Sequence, residues 1–134
     1  MQKDNDIKNK FIVDESFKSD QLNQLAGRLL NWAKVTKKGE IIIHNDGSLS
    51  PDDKLRIALV ARYIGHYLSG EIPESIKLVE LKAIINETTQ ATGSRISKLE
   101  KKDKFARKVK YGTYAVRPHK IEEFITKLES RFNK

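Results

Sequence analysis

A mainly α fold with a small β component (α+β) follows from three features of this 134-residue chain. Long stretches repeat apolar residues at helical spacing. Short β-branched runs lie between turn residues, too brief to build an extensive sheet. The composition, 38% apolar and 33% charged, suits one compact core under a heavily charged surface. The length supports a single domain and leaves little for a second.

Residues 1–18 read as a polar, partly disordered N-terminal tail, in which Phe11-Ile12-Val13 is a short extended segment. Leu22, Leu25, Ala26, Leu29, Leu30 and Ala33 follow the spacing of an amphipathic helix over 19–34, capped by Ser19 or Asp20. Lys37-Lys38-Gly39 breaks it. Glu40 to His44 reads as a strand ended by Asn45-Asp46-Gly47, with Phe11–Val13 as the candidate partner. Ser50, Pro51, Asp52 and Asp53 form the strongest helix start in the chain, combining a cap, a proline at the first position and two acids at the positive end of the dipole. That helix runs to about Ser69, and apolar residues around most of its circumference place it centrally. Gly65 within it weakens the helix by about 1 kcal/mol relative to alanine and permits a close helix crossing.

Ser75-Ile76-Lys77 then reads as a one-rung strand and Leu78–Ile85 as a short helix with Leu78, Leu81, Ile84 and Ile85 inward. After the turn Asn86–Thr89, a helix capped by Thr89 extends to about Lys102. Phe105–Tyr111 and Thr113–Val116 are two strands around Gly112. In the first, alternation sets Phe105 and Val109 toward the core and Lys108 and Lys110 outward, with Arg107 ambiguous. Pro118 or His119 opens a last helix (119–132).

The charge is uneven. Between Thr89 and Lys120 ten basic residues face only Glu100 and Asp103, an excess equal to the formal +8 of the whole chain; residues 1–53 are close to neutral. Such localisation points to a polyanion site. On a helical wheel Thr92, Ile96 and Leu99 fall within about 60° of one another and form a narrow inward stripe. The other side carries Gln90, Gly93, Ser94, Ser97 and Lys101, flanked by Arg95, Lys98 and Lys102. Small polar residues bordered by cations meet the needs of a DNA major groove: close approach, hydrogen bonds to base edges, and phosphate contacts on either side. A solvated charged face is the plainer alternative.

Other chemistries find little support. No cysteine is present, so disulfides, thiol nucleophiles and cysteine–zinc sites are excluded. His44, His66 and His119 share no metal-ligand spacing. Asp52-Asp53 and Glu122-Glu123 are explained by helix dipoles. No nucleophile elbow or glycine-rich phosphate loop occurs. No catalytic residue, metal or cofactor is therefore expected. The polar start of the chain and the lack of a spanning run point to a cytoplasmic protein without a membrane partner.

The stretch Ser75 to Ile85, the helix Thr89–Lys102 with Ile96 and Leu99 at its buried positions, and the hairpin Phe105–Val116 together resemble the winged helix-turn-helix superfamily. The resemblance covers residues 52–117, within a single domain 19–134 flanked by helices 19–34 and 119–132. One departure is Lys102-Asp103-Lys104, where many members carry glycine. The resemblance implies that Gln90, Ser94, Arg95, Ser97, Lys98, Lys101 and Lys102 face double-stranded DNA, with Arg107, Lys108, Lys110 and Tyr111 on the wing. It implies a transcriptional regulator or a chromatin-associated factor, nucleoid-associated if so. Structured ribosomal or transfer RNA, and a role as an interaction module in a larger complex, are the alternatives. Tyr111 is expected to pack or to contact a backbone rather than to stack. The last helix carries Ile121, Phe124, Ile125, Leu128 and Phe132 in one stripe. This stripe either packs on its own domain or forms a homodimer contact.

Overall fold

The computed structural model describes residues 17–44 and 46–132, so the expectations for residues 1–16, Phe11–Val13 among them, lie outside it, while Phe17, placed in the tail, meets Tyr63 edge-on at 6.2 Å. Among these residues are five α-helices and two small antiparallel sheets: α1 (Ser19–Leu29), β1 (Ala33–Val35), β2 (Ile41–Ile43), α2 (Pro51–Leu68), β3 (Ile76–Lys77), α3 (Leu78–Ile85), α4 (Thr89–Lys101), β4 (Ala106–Lys110), β5 (Thr113–Val116) and α5 (Ile121–Phe132). Short 3-10 turns precede α2 and α5. The fold class is thus the predicted α+β. None of these helices is long and apolar enough to cross a membrane.

Helix α2 is the axle of the fold. Ser50 Oγ accepts a hydrogen bond from Asp53 N at 3.1 Å, closing the expected capping box. Leu55 and every residue from Ile57 to Ile64 are buried, as an all-round apolar helix requires. Helices α1, α3 and strands β1, β2 and β5 all pack against it.

The N-terminal elements differ from the sequence expectation. Helix α1 stops at Leu29 instead of Lys34, and its N-cap is Lys18, whose backbone N–H donates to Gln21 Oε1 at 3.0 Å. Ala33–Val35 forms β1, paired with β2 in the register Ala33↔Ile43, Val35↔Ile41. Ala33 continues the helical apolar spacing, but β2 needs a ladder for its backbone groups, and the nearest chain supplies it. Gly39, at φ +94, makes the connecting turn possible. A Cβ at Gly65 would lie 3.5–3.6 Å from Ile72 and Val35, so the segment close to it is a loop and a strand, not the expected helix.

Buried Arg62, only 3% exposed, ties these parts together. Its guanidinium donates to Gly39 O (2.9 Å), Ser75 O (2.9 Å) and Pro73 O (3.3 Å), and pairs with Glu80 of α3. One side chain thereby joins the β1–β2 turn, the loop before β3 and α3. Sequence patterning gives no sign of this hub.

At the C-terminus, Ile121, Phe124, Ile125 and Leu128 are buried inside the same chain. Phe132 alone stays open, 39% exposed, edge-on to Trp32 at 6.4 Å. Helix α5 is held by Arg28 of α1, which donates to both oxygens of Glu129 (2.6 and 3.0 Å) and to Thr126, and by Arg131 to Asp53 at 2.8 Å. Four of the five residues offered as a dimer contact are therefore core. Burying their apolar area against α1 and the α2 start outweighs leaving it for a partner.

Candidate nucleic-acid interface

Strands β3, β5 and β4 form one sheet in that spatial order, beginning beside α3 and folding back over α4. Ile76 pairs with Tyr114, and Ala106 with Val116. Helix α3 ends in Asn86, left-handed at φ 53, a conformation asparagine tolerates. Thr88, not Thr89, caps α4: its Oγ1 accepts from Ala91 N at 3.1 Å. One face of α4 is spent on the core, with Thr92, Ile96 and Leu99 fully buried, as the wheel predicts. Thr92 Oγ1 returns its hydrogen to Thr88 O. On the other side Gln90, Ser94, Lys98 and Lys101 are exposed, Ser97 is half-buried, and space beside Gly93 is open.

The turn out of α4 shows what stands in for glycine. Lys104 itself takes the left-handed conformation, φ 57. Phe105 N bonds to Leu99 O at 2.8 Å and Asp103 N to Lys98 O at 3.0 Å, closing the helix end. Asp103 is anchored by Arg56 of α2 at 2.9 Å, and the same guanidinium lies over the Phe105 ring at 5.7 Å. A neighbouring ion pair and a cation–π contact hold the turn that glycine would otherwise ease.

The hairpin departs from regular alternation. Lys108 pairs with Tyr114 and Lys110 with Thr113, so a bulge falls at Val109. The side-chain phase shifts by one residue there. Val109 is consequently 44% exposed instead of facing the core. Lys108 and Lys110, opposite adjacent residues of β5, stand on different faces of the ribbon instead of sharing an outward one. Tyr111 at the tip is 95% exposed and packs on no core residue, so the expected packing role does not hold. Its ring contact is Lys108 Nζ, 5.7 Å from the centroid.

Arginine and lysine divide the electrostatic work. Each of the seven arginines is bound within the chain. Arg95 chelates Glu87 through Nε (2.7 Å) and Nη2 (3.1 Å) and reaches Asp52 at 3.2 Å. Its guanidinium is held above its ordinary pKa, chiefly by the hydrogen bonding it donates to Glu87. Arg107 bonds Glu74 at 3.2 Å. By contrast Lys98, Lys101, Lys102, Lys104, Lys108 and Lys110 are all exposed and make no ion pair with a described residue. Lys98 and Lys101 also complement the negative end of the α4 dipole, which explains their position without requiring a ligand.

Two further cations join this surface. Lys77 and Lys82 line a groove of about 570 Å³ with Val79, Thr89, Lys110 and Tyr111. Both lie outside the 89–120 charge window. The pairing of β3 with β5, Lys77 opposite Thr113, brings them to the hairpin tip, and no local pattern in the chain carries that information. No group of acids and histidines among the described residues could hold a metal ion. No family model, curated protein or solved structure matches this chain.

Proposed function

We propose that this protein binds double-stranded DNA as a winged helix-turn-helix module, with α4 in the major groove and the β4–β5 hairpin as the wing. The observation that carries the reading is the six exposed lysines on α4, the following turn and β4 that make no ion pair with a described residue, beside arginines that are all bound within the chain. Long, mobile ammonium groups meet phosphates without demanding a fixed geometry. The order helix, short strand, helix, turn, helix, hairpin supports the same assignment.

Arg95 is the side chain best suited to a bidentate guanine contact, yet Glu87 and Asp52 already occupy it. Base reading then falls to Gln90, Ser94 and Ser97, which are short or uncharged. Affinity is accordingly phosphate-dominated and sequence preference modest. That combination fits a chromatin-associated, nucleoid factor better than a stringent operator-binding regulator. A-form RNA is the poorer ligand, because its deep, narrow major groove excludes α4.

The test is binding to a random duplex over a range of salt. About six phosphate contacts give log Kd a slope near 5 against log salt. A flat response overturns the reading. Competition with a hairpin RNA at equal salt should leave the DNA complex largely intact; displacement by equimolar RNA would transfer the interface to RNA.

A further inference from the structure

The duplex reading draws only Lys110 from one part of the basic surface, the groove between the hairpin tip and α3. Three elements send cations to it, Lys77 from the end of β3, Lys82 from α3 and Lys110 from β4, and no carboxylate of a described residue lines its walls. Its floor is apolar, with Leu78 and Val79, the latter 67% exposed. At its rim stands the Tyr111 ring. The ring is not on a loose loop: Gly112, at φ +71, makes the tight turn, and its carbonyl accepts from Leu78 N at 2.8 Å, fastening the tip to α3.

A cationic channel with an apolar floor and an exposed aromatic ring on a tethered turn, with Lys108 Nζ 5.7 Å from the ring centroid, is a combination that receives unstacked nucleotides. Paired bases cannot supply what this groove takes, since their faces are already stacked on one another. Phosphates of a single strand would meet Lys77, Lys82 and Lys110, while one base would lie on Tyr111 and its sugar on Val79. With a single ring, only one or two nucleotides are seated and their identity is not read.

We infer that the protein prefers a DNA duplex bearing a single-stranded end, the duplex on α4 and the hairpin and the unpaired strand in this groove. This rests on the duplex reading above and adds a substrate class to it. The experiment compares a labelled blunt duplex with the same duplex carrying a four-nucleotide 3′ or 5′ tail, by fluorescence anisotropy at fixed salt. For the intact chain one tailed duplex should bind at least about fivefold tighter than the blunt one, the lower bound for a single base stacked on an aromatic ring. The tailed-to-blunt ratio should fall to near one in Tyr111→Ala, persist in Tyr111→Phe, and decline in Lys77→Gln with Lys82→Gln. Thermal melts establish that each variant is folded. Equal binding of tailed and blunt duplexes by the intact chain, or a ratio unchanged in Tyr111→Ala, overturns the groove assignment and leaves the duplex interface standing. Absence of binding to any of the duplexes overturns both.

Discussion

Arg62 and Lys98 mark the contrast between the α1–β2–α2 half of the molecule and the α3–α4–hairpin half. In the first, a cation is buried and consumed: Arg62 spends its donors on three carbonyls and Glu80, and its charge never reaches solvent. In the second, cations are displayed: Lys98 and its neighbours pair with no carboxylate among the described residues. The difference follows from side-chain chemistry. A planar guanidinium satisfies several fixed acceptors at once and tolerates burial, whereas a compact, strongly hydrated ammonium loses more on desolvation. Structural charge and available charge are thus written in different residues.

The largest break in that contrast should come from Arg62→Ala. It leaves three carbonyls without their donor, while the 40% exposed Glu80 carboxylate turns to water, so urea denaturation should show a loss of about 3 kcal/mol, roughly 1 kcal/mol for each bond left unmade. A loss under about 1 kcal/mol would mean that the hub is readily solvated. Next comes Lys98→Gln with Lys101→Gln. Its folding free energy should move by less than about 1 kcal/mol, reflecting only the helix dipole, while the salt slope of DNA binding flattens by about two. A large stability loss with an unchanged slope would place these lysines among the structural charges. Lys104→Gly sharpens the comparison from the other side. The left-handed residue costs a side chain about 1 kcal/mol, so glycine should raise stability by up to about that amount.

The smallest effect concerns the clamp on α5. The Arg28 guanidinium, mainly through its hydrogen bonds, holds the Glu129 carboxyl below the ordinary carboxylate range. A depressed folded-state value adds stability above the unfolded-state pKa, and that stability is lost as pH falls through the folded-state value. Glu129→Gln should therefore cost about 0.5 kcal/mol at neutral pH, discounted for partial exposure, and nothing in acid once the Glu129 carboxyl is protonated in both the folded and the unfolded state. Equilibrium unfolding at neutral and acid pH measures it; a difference that persists unchanged into acid would assign the effect to packing.

Legibility in the chain divided along the same line. Leu78–Ile85 could be bounded to the residue because its period, its flanking strand and its terminal turn are all local. Ser50–Asp53 announced α2 for the same reason, and Thr92, Ile96 and Leu99 gave the buried face of α4. β1 was missed because Ala33 fits a helical period and only pairing with Ile43 shows it to be extended. The bulge at Val109 escaped because a strict two-residue alternation has no means of marking an extra residue. Arg62, Lys77 and Lys82 take their roles from segments distant in sequence. The α5 stripe was equally apolar under either alternative, and only the position of α1 decided that it faces inward.

The bulge at Val109 has a geometric result for whatever meets the hairpin. A regular ribbon would carry Lys108 and Lys110 on one side and act as a charged plate. This one carries ammonium groups front and back, like a key cut along both edges. Such a shape gains most inside a slot whose two opposed walls are anionic, as between the paired sugar–phosphate rims of a duplex minor groove. On a planar anionic bilayer, half of its charge would point away into water.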